Sequence, residues 1–150
     1  MSKPLDIKLS IELAQRLSKL DADCFQNAYQ AILITPGAMY VQGFLVMADQ
    51  PDTILEYGWL ELDASLVDPT FIQWQKNAEE LFYFPAQKLT LKQLLSALQE
   101  AQEDYPEDNP LPVYGTTPYE YYGEVMLGGQ EYKFAYEQAV NKCRQLNEQY

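Results

Sequence analysis

Apolar residues recur at helical spacing near both ends of the chain and in nearly unbroken runs between, and this change of period marks out the elements. Ile11, Leu13, Ala14, Leu17 and Leu20 form one face of a helix that Ser10 can cap. Asp21 or Asp23 caps a second helix, in which Cys24, Phe25, Ala28, Ile32 and Leu33 follow at helical spacing until Thr35-Pro36-Gly37 stops it. The run Met39–Met47 is a strand, Asp49–Asp52 a turn and Ile54–Leu62 a second strand; after a short turn at Asp63-Ala64, Ser65–Val67 makes a third. An antiparallel meander is the simplest arrangement of the three. Phe71–Leu81 has a helical pattern, whereas Phe82–Leu89 reads as an edge strand, because Pro85 lacks the N–H that a central strand must supply. Thr90 and Gln93 form a capping box for a helix to about Gln102, with Leu91, Leu94, Leu95 and Leu98 on its buried side.

Between Glu103 and Pro118 the chain combines four prolines with four acidic residues, the signature of a surface loop. Tyr132, Ala135, Tyr136, Ala139, Val140, Cys143 and Leu146 then return to helical spacing and close the chain. The sum is one α+β domain over residues 1–150, an antiparallel meander packed by N-terminal and C-terminal helices, with no internal repeat and no linker.

Composition narrows the chemistry. A chain of 150 residues can bury a core without disulfides or a structural metal. Cys24 and Cys143 lie far apart, one in each terminal helical segment, and read as free thiols. A net charge of −12 repels phosphates and anionic lipid headgroups, which argues against nucleic acid or membrane partners. No apolar run spans a bilayer and the start lacks a signal-peptide pattern, so a cytoplasmic location is the expectation. There is no histidine at all, which rules out Cys-His or Ser-His catalysis within the chain. GxGxxG, Walker, GxSxG and HExxH motifs are missing, no cofactor or metal is implied, and Glu103, Asp104, Glu107 and Asp108 read as a solvated acidic loop.

Four stretches in order carry a resemblance: Cys24-Phe25-Gln26-Asn27-Ala28, Tyr40-Val41-Gln42-Gly43, Glu56-Tyr57-Gly58-Trp59 and Asp68-Pro69-Thr70. The set, over about residues 20–74, resembles small bacterial and phage proteins with papain-like or transglutaminase-like architecture, in which a helix-borne Cys precedes a Glu-His-x-Trp strand and an Asp-Pro-Thr turn. The resemblance implies a nucleophile at Cys24 and an orienting carboxylate at Asp68. Where it expects histidine the chain has Tyr57, which stays protonated at neutral pH and is a poor base. Asp21 and Asp23 beside the thiol should raise its pKa against the helix dipole. The triad Cys24, Tyr57, Asp68 is therefore degenerate. The plainer alternative makes Cys24 a packing residue, Tyr57 and Trp59 sheet residues pointing to opposite faces, and Asp68 a turn former.

Tyrosines crowd the tract around Tyr114, Tyr119, Tyr121 and Tyr122, and with Trp59 these are the candidate binding residues, because aromatic rings supply large contact area at low entropic cost. Two functions follow. The first is a noncatalytic binding or interaction module for a protein partner. The alternative is a cysteine-dependent acyl-transfer enzyme or hydrolase, with Cys24 as nucleophile and a base supplied by a partner chain or an unrecognised side chain.

Overall fold

The structure, a computed structural model, describes residues 3–17, 19–20, 22–112 and 130–148. Its centre is a four-stranded antiparallel sheet made of β1 (Met39–Met47), β2 (Gln50–Leu62), β3 (Ser65–Val67) and β4 (Leu81–Leu89), in the spatial order β3-β2-β1-β4. The meander expected for the first three strands is present, and β4 is an edge strand, as Pro85 requires.

Helices α1 (Ile7–Arg16), α2 (Cys24–Leu33), α3 (Phe71–Trp74), α4 (Leu91–Asp104) and α5 (Gln130–Glu148) cover both faces of the sheet. The period-2 alternation of strands decides which residues meet which helix. Tyr40, Leu60 and Val67 face Ala28, Ala31 and Ile32 of α2 and Leu94 and Leu98 of α4. Phe44 and Val46, on the same face, meet Tyr132, Ala135 and Ala139 of α5. The opposite face carries Val41, Leu45, Met47, Tyr57, Trp59 and Tyr83, closed by Phe71 and Trp74 of α3. Within the α5 interface a buried hydrogen-bonded chain, Tyr40 to Gln42 to Tyr132, satisfies the fully buried Gln42 amide.

Several boundaries differ from the sequence reading. Helix α1 begins at Ile7 because Asp6 is the cap, its carboxylate accepting from Leu9 N–H at 2.9 Å, and Ser10 lies inside the helix. Strand β2 starts at Gln50: Met47 pairs with Gln50, so only Ala48 and Asp49 form the turn. The helical pattern at Phe71–Leu81 survives only to Trp74, since Gln75 takes a left-handed conformation (φ 54°) that ends the helix, and a 3-10 turn at Ala78–Glu80 leads into β4. The segment after α4 is described only as far as Pro112.

The N-terminal stretch protects an edge. Leu5 bridges Leu66 in parallel, with Asp6 N–H donating to Leu66 O and Leu66 N–H to Pro4 O, both at 2.8 Å. Backbone groups on the outer side of β3 that would template pairing with another chain are thus occupied. Glu61, almost buried, is held by Lys3 at 3.2 Å and Lys88 at 2.9 Å, tying this stretch to β4.

The capping box at α4 is complete: Thr90 Oγ1 accepts from Gln93 N–H and the Gln93 side chain accepts from Thr90 N–H. Replacing Thr90 by alanine should cost about 1 kcal/mol in urea unfolding; an unchanged midpoint would show that the cap contributes nothing to this helix.

Candidate functional site

Three of the residues singled out by sequence come together at the start of α2. Asp23 caps that helix, accepting from Phe25 N–H at 2.9 Å, and sets Cys24 in the first turn. Strand β3 pairs with β2 only from Leu60 onward, and Gly58, beyond its end, donates its N–H to Cys24 Sγ at 3.4 Å. Glycine leaves room for a close approach: a Cβ at Gly58 would stand 2.8 Å from Phe25 Cδ1 and force that ring to shift. The thiol is 8% exposed.

Asp68, fully buried at the end of β3, organises the rest. Its Oδ2 accepts from the Tyr57 hydroxyl at 2.9 Å and the Tyr83 hydroxyl at 2.8 Å, and its Oδ1 accepts from Thr70 N–H at 2.9 Å. Its own N–H donates to Ser10 Oγ at 2.9 Å, which explains why Ser10 is buried inside α1. Trp74 Nε1 donates to the Tyr57 oxygen at 2.8 Å, and Asn27 Nδ2 donates to Thr70 Oγ1 at 2.9 Å, locking α2 to the Asp-Pro-Thr turn. The rings of Tyr57, Trp59, Trp74 and Tyr83 pack edge-on or tilted at centroid separations of 5.2 to 6.3 Å.

The electrostatics follow from burial. Desolvation, the largest cause, pushes the Cys24 thiol up to about 12; the Gly58 N–H opposes this, and the carboxylates of Asp68 and Asp23 add to it. Asp23 therefore acts in the expected direction but is minor beside burial, and Asp21 lies outside the described residues. Burial raises Asp68 to about 6, with the Tyr83 and Tyr57 hydroxyls and the Thr70 N–H lowering it in part. Tyr57 and Tyr83 are held far above the ordinary tyrosine range, first by burial and then by Asp68. At neutral pH the cluster is thus a carboxylate accepting two phenolic hydrogen bonds beside a protonated thiol. Tyr57 donates to Asp68 while its oxygen accepts from Trp74, and a phenol that keeps its proton is a poor base toward Cys24.

Tyr57 and Trp59 share one face of β2, as residues two apart must, which corrects the expectation of opposite faces. Trp59, a candidate binding residue, is fully buried beside Tyr83, and its Nε1 has no hydrogen-bond partner among the described residues. Tyr114, Tyr119, Tyr121 and Tyr122 lie outside the described residues. Cys143 is half-buried, and burial with the nearby Asp52 carboxylate raises its pKa too. Among the described residues no group of His, Cys, Asp or Glu is arranged to hold a metal ion, and no helix is long and apolar enough to cross a membrane.

Sequence reasoning missed Tyr83, Trp74, Ser10, Asn27 and Thr70 as members of this cluster. Tyr83 and Trp74 stand out in aromatic-rich stretches, but the pairing of Leu45 with Tyr83 that brings β4 across is a long-range register that no local pattern states. No protein-family model, no curated protein and no solved structure matches the chain.

Proposed function

We propose that the chain is a noncatalytic binding or interaction module on a papain-like or transglutaminase-like scaffold of bacterial or phage type whose thiol chemistry has lapsed. The observation that carries this reading is the Tyr57 hydroxyl, at the position where the resemblance expects an imidazole: it donates a hydrogen bond to Asp68, beside a thiol that burial keeps protonated. The scaffold part rests on order and placement: a cysteine in the first turn of a helix, a following antiparallel hairpin, and an Asp-Pro-Thr turn whose carboxylate meets the second strand. Against the cysteine-enzyme alternative stand the buried thiol and the absence of a histidine.

Iodoacetamide alkylation of Cys24 in a Cys143→Ser background tests this. The native protein should react at least about a hundredfold more slowly than the urea-unfolded chain at about pH 8, because its thiolate fraction is so low. Native reaction as fast as, or faster than, that of the unfolded chain would mark an activated nucleophile and overturn the noncatalytic reading.

A further inference from the structure

A second feature lies away from Cys24, between the outward sides of α2 and α4, where a cleft of about 360 Å³ opens. Its apolar lining comes from Tyr29 of α2, from Leu95 and Leu98 of α4 and from Leu111. Leu98 and Leu111 are buried, but Leu95 leaves 42% of its surface in water on an otherwise polar helix side. Around this apolar strip stand the amides of Gln26, Gln99 and Gln102, each able both to donate and to accept. That combination suits an extended or helical peptide, whose backbone groups the amides can pair while one aliphatic side chain enters the strip.

Charge selects the kind of peptide. Helix α2 carries no charged side chain, and from Gln93 to Pro112 the chain has Glu100, Glu103, Asp104, Glu107 and Asp108 without a single lysine or arginine. One of these carboxylates is bonded to a residue that lines the cleft: Gln99 Nε2 donates to Glu103 Oε1 at 3.3 Å. An anionic ligand would be repelled, whereas a cationic one is drawn in and held at the rim.

We propose that the α2–α4 groove docks a lysine- or arginine-rich peptide segment of a protein partner, with a leucine-sized side chain seated between Tyr29, Leu98 and Leu111. This rests on the reading of the chain as a binding module and names its surface and partner class.

The test uses the full chain, 15N-labelled, titrated with a ten-residue amidated peptide of lysine and leucine in about 0.1 M salt, beside a lysine–serine peptide of equal charge. Saturable binding is expected, with amide shifts concentrated at Gln26, Tyr29, Gln99 and Leu111. Affinity should fall at least about tenfold for the lysine–serine peptide, for Leu95→Asn and for the double charge reversal Glu100→Lys/Glu103→Lys. Both variants alter exposed positions, and their unperturbed spectra serve as the folding check. Equal binding of the two peptides, shifts scattered over the acidic surface, or no saturable binding because residues 113–129 or a second copy already fill the groove would each overturn the proposal. Cys24 alkylation in the Cys143→Ser protein, titrated with the same peptides, separates the two readings. An unreactive thiol without peptide binding sinks the groove alone, and a reactive thiol sinks the noncatalytic reading whatever the peptide does.

Discussion

Replacement of Asp68 by alanine is expected to destabilise the protein by about 3–5 kcal/mol, because three donors lose their acceptor in a closed interior. The Tyr57 and Tyr83 hydroxyls and the Thr70 N–H all point at this carboxylate, and each buried donor left unpaired costs roughly 1–3 kcal/mol, offset in part by relief of the buried charge. Asparagine keeps the shape and one acceptor, so Asp68→Asn should cost less, about 1–2 kcal/mol at neutral pH.

Asp68 also has a pH signature with an unusual sign. Its folded pKa of about 6 lies above the ordinary 3.8, so between those values the folded state holds the proton that the unfolded chain has released. Its contribution to stability is therefore full below about pH 4, falls as pH rises to about 6, and is flat beyond. The size of that fall is up to roughly 3 kcal/mol. With twenty-two acidic residues in the chain, the clean observable is the difference in urea-unfolding free energy between wild type and Asp68→Asn. Relative to the variant, wild type should be more stable at about pH 4.5 than at pH 7. A difference that grows with pH would mean that the Tyr57 and Tyr83 hydrogen bonds outweigh burial and hold the carboxylate below its ordinary range.

Gly43→Ala is the second large effect. At the register shift between β1 and β4, a Cβ on Gly43 would lie 2.0 Å from the Phe84 carbonyl oxygen, a contact with backbone that no rotamer change relieves. A cost of about 3 kcal/mol or more is expected, with β4 displaced outward. Because β4 carries Tyr83, the same substitution should loosen its bond to Asp68, so faster hydrogen exchange along Leu81–Leu89 should accompany weaker pH dependence. A Gly43→Ala protein of wild-type stability would mean that the strand pairing here is wrong.

Much of this was legible along the chain, for identifiable reasons. The strands showed because Met39–Met47 and Ile54–Leu62 are dense in β-branched, aromatic and aliphatic residues, and α4 because Thr90 and Gln93 form a specific two-bond cap. Cys24, Tyr57 and Asp68 were found by their order, and the structure brings them to one place. The start of α1 was misplaced since Asp6 and Ser10 are both good caps, and only the buried use of Ser10 by Asp68 decides between them. Helix α3 was overextended because apolar spacing continues past the point where Gln75 turns left-handed. Tyr83, and the burial that outweighs every nearby charge at Cys24, depend on which strands become neighbours, and that information resides in contacts far apart in sequence.

Whether Tyr57 has displaced a base and left Cys24 a protonated core thiol is tested most directly by 13C NMR of the Cys24 Cβ in a Cys143→Ser protein, titrated from about pH 6 to pH 10. A single thiol-like shift across the whole range is the expected result, since the thiol is pushed up to about 12. A transition to a thiolate shift with a midpoint below about 8.5 would contradict it, and would mean that some group holds Cys24 as a nucleophile.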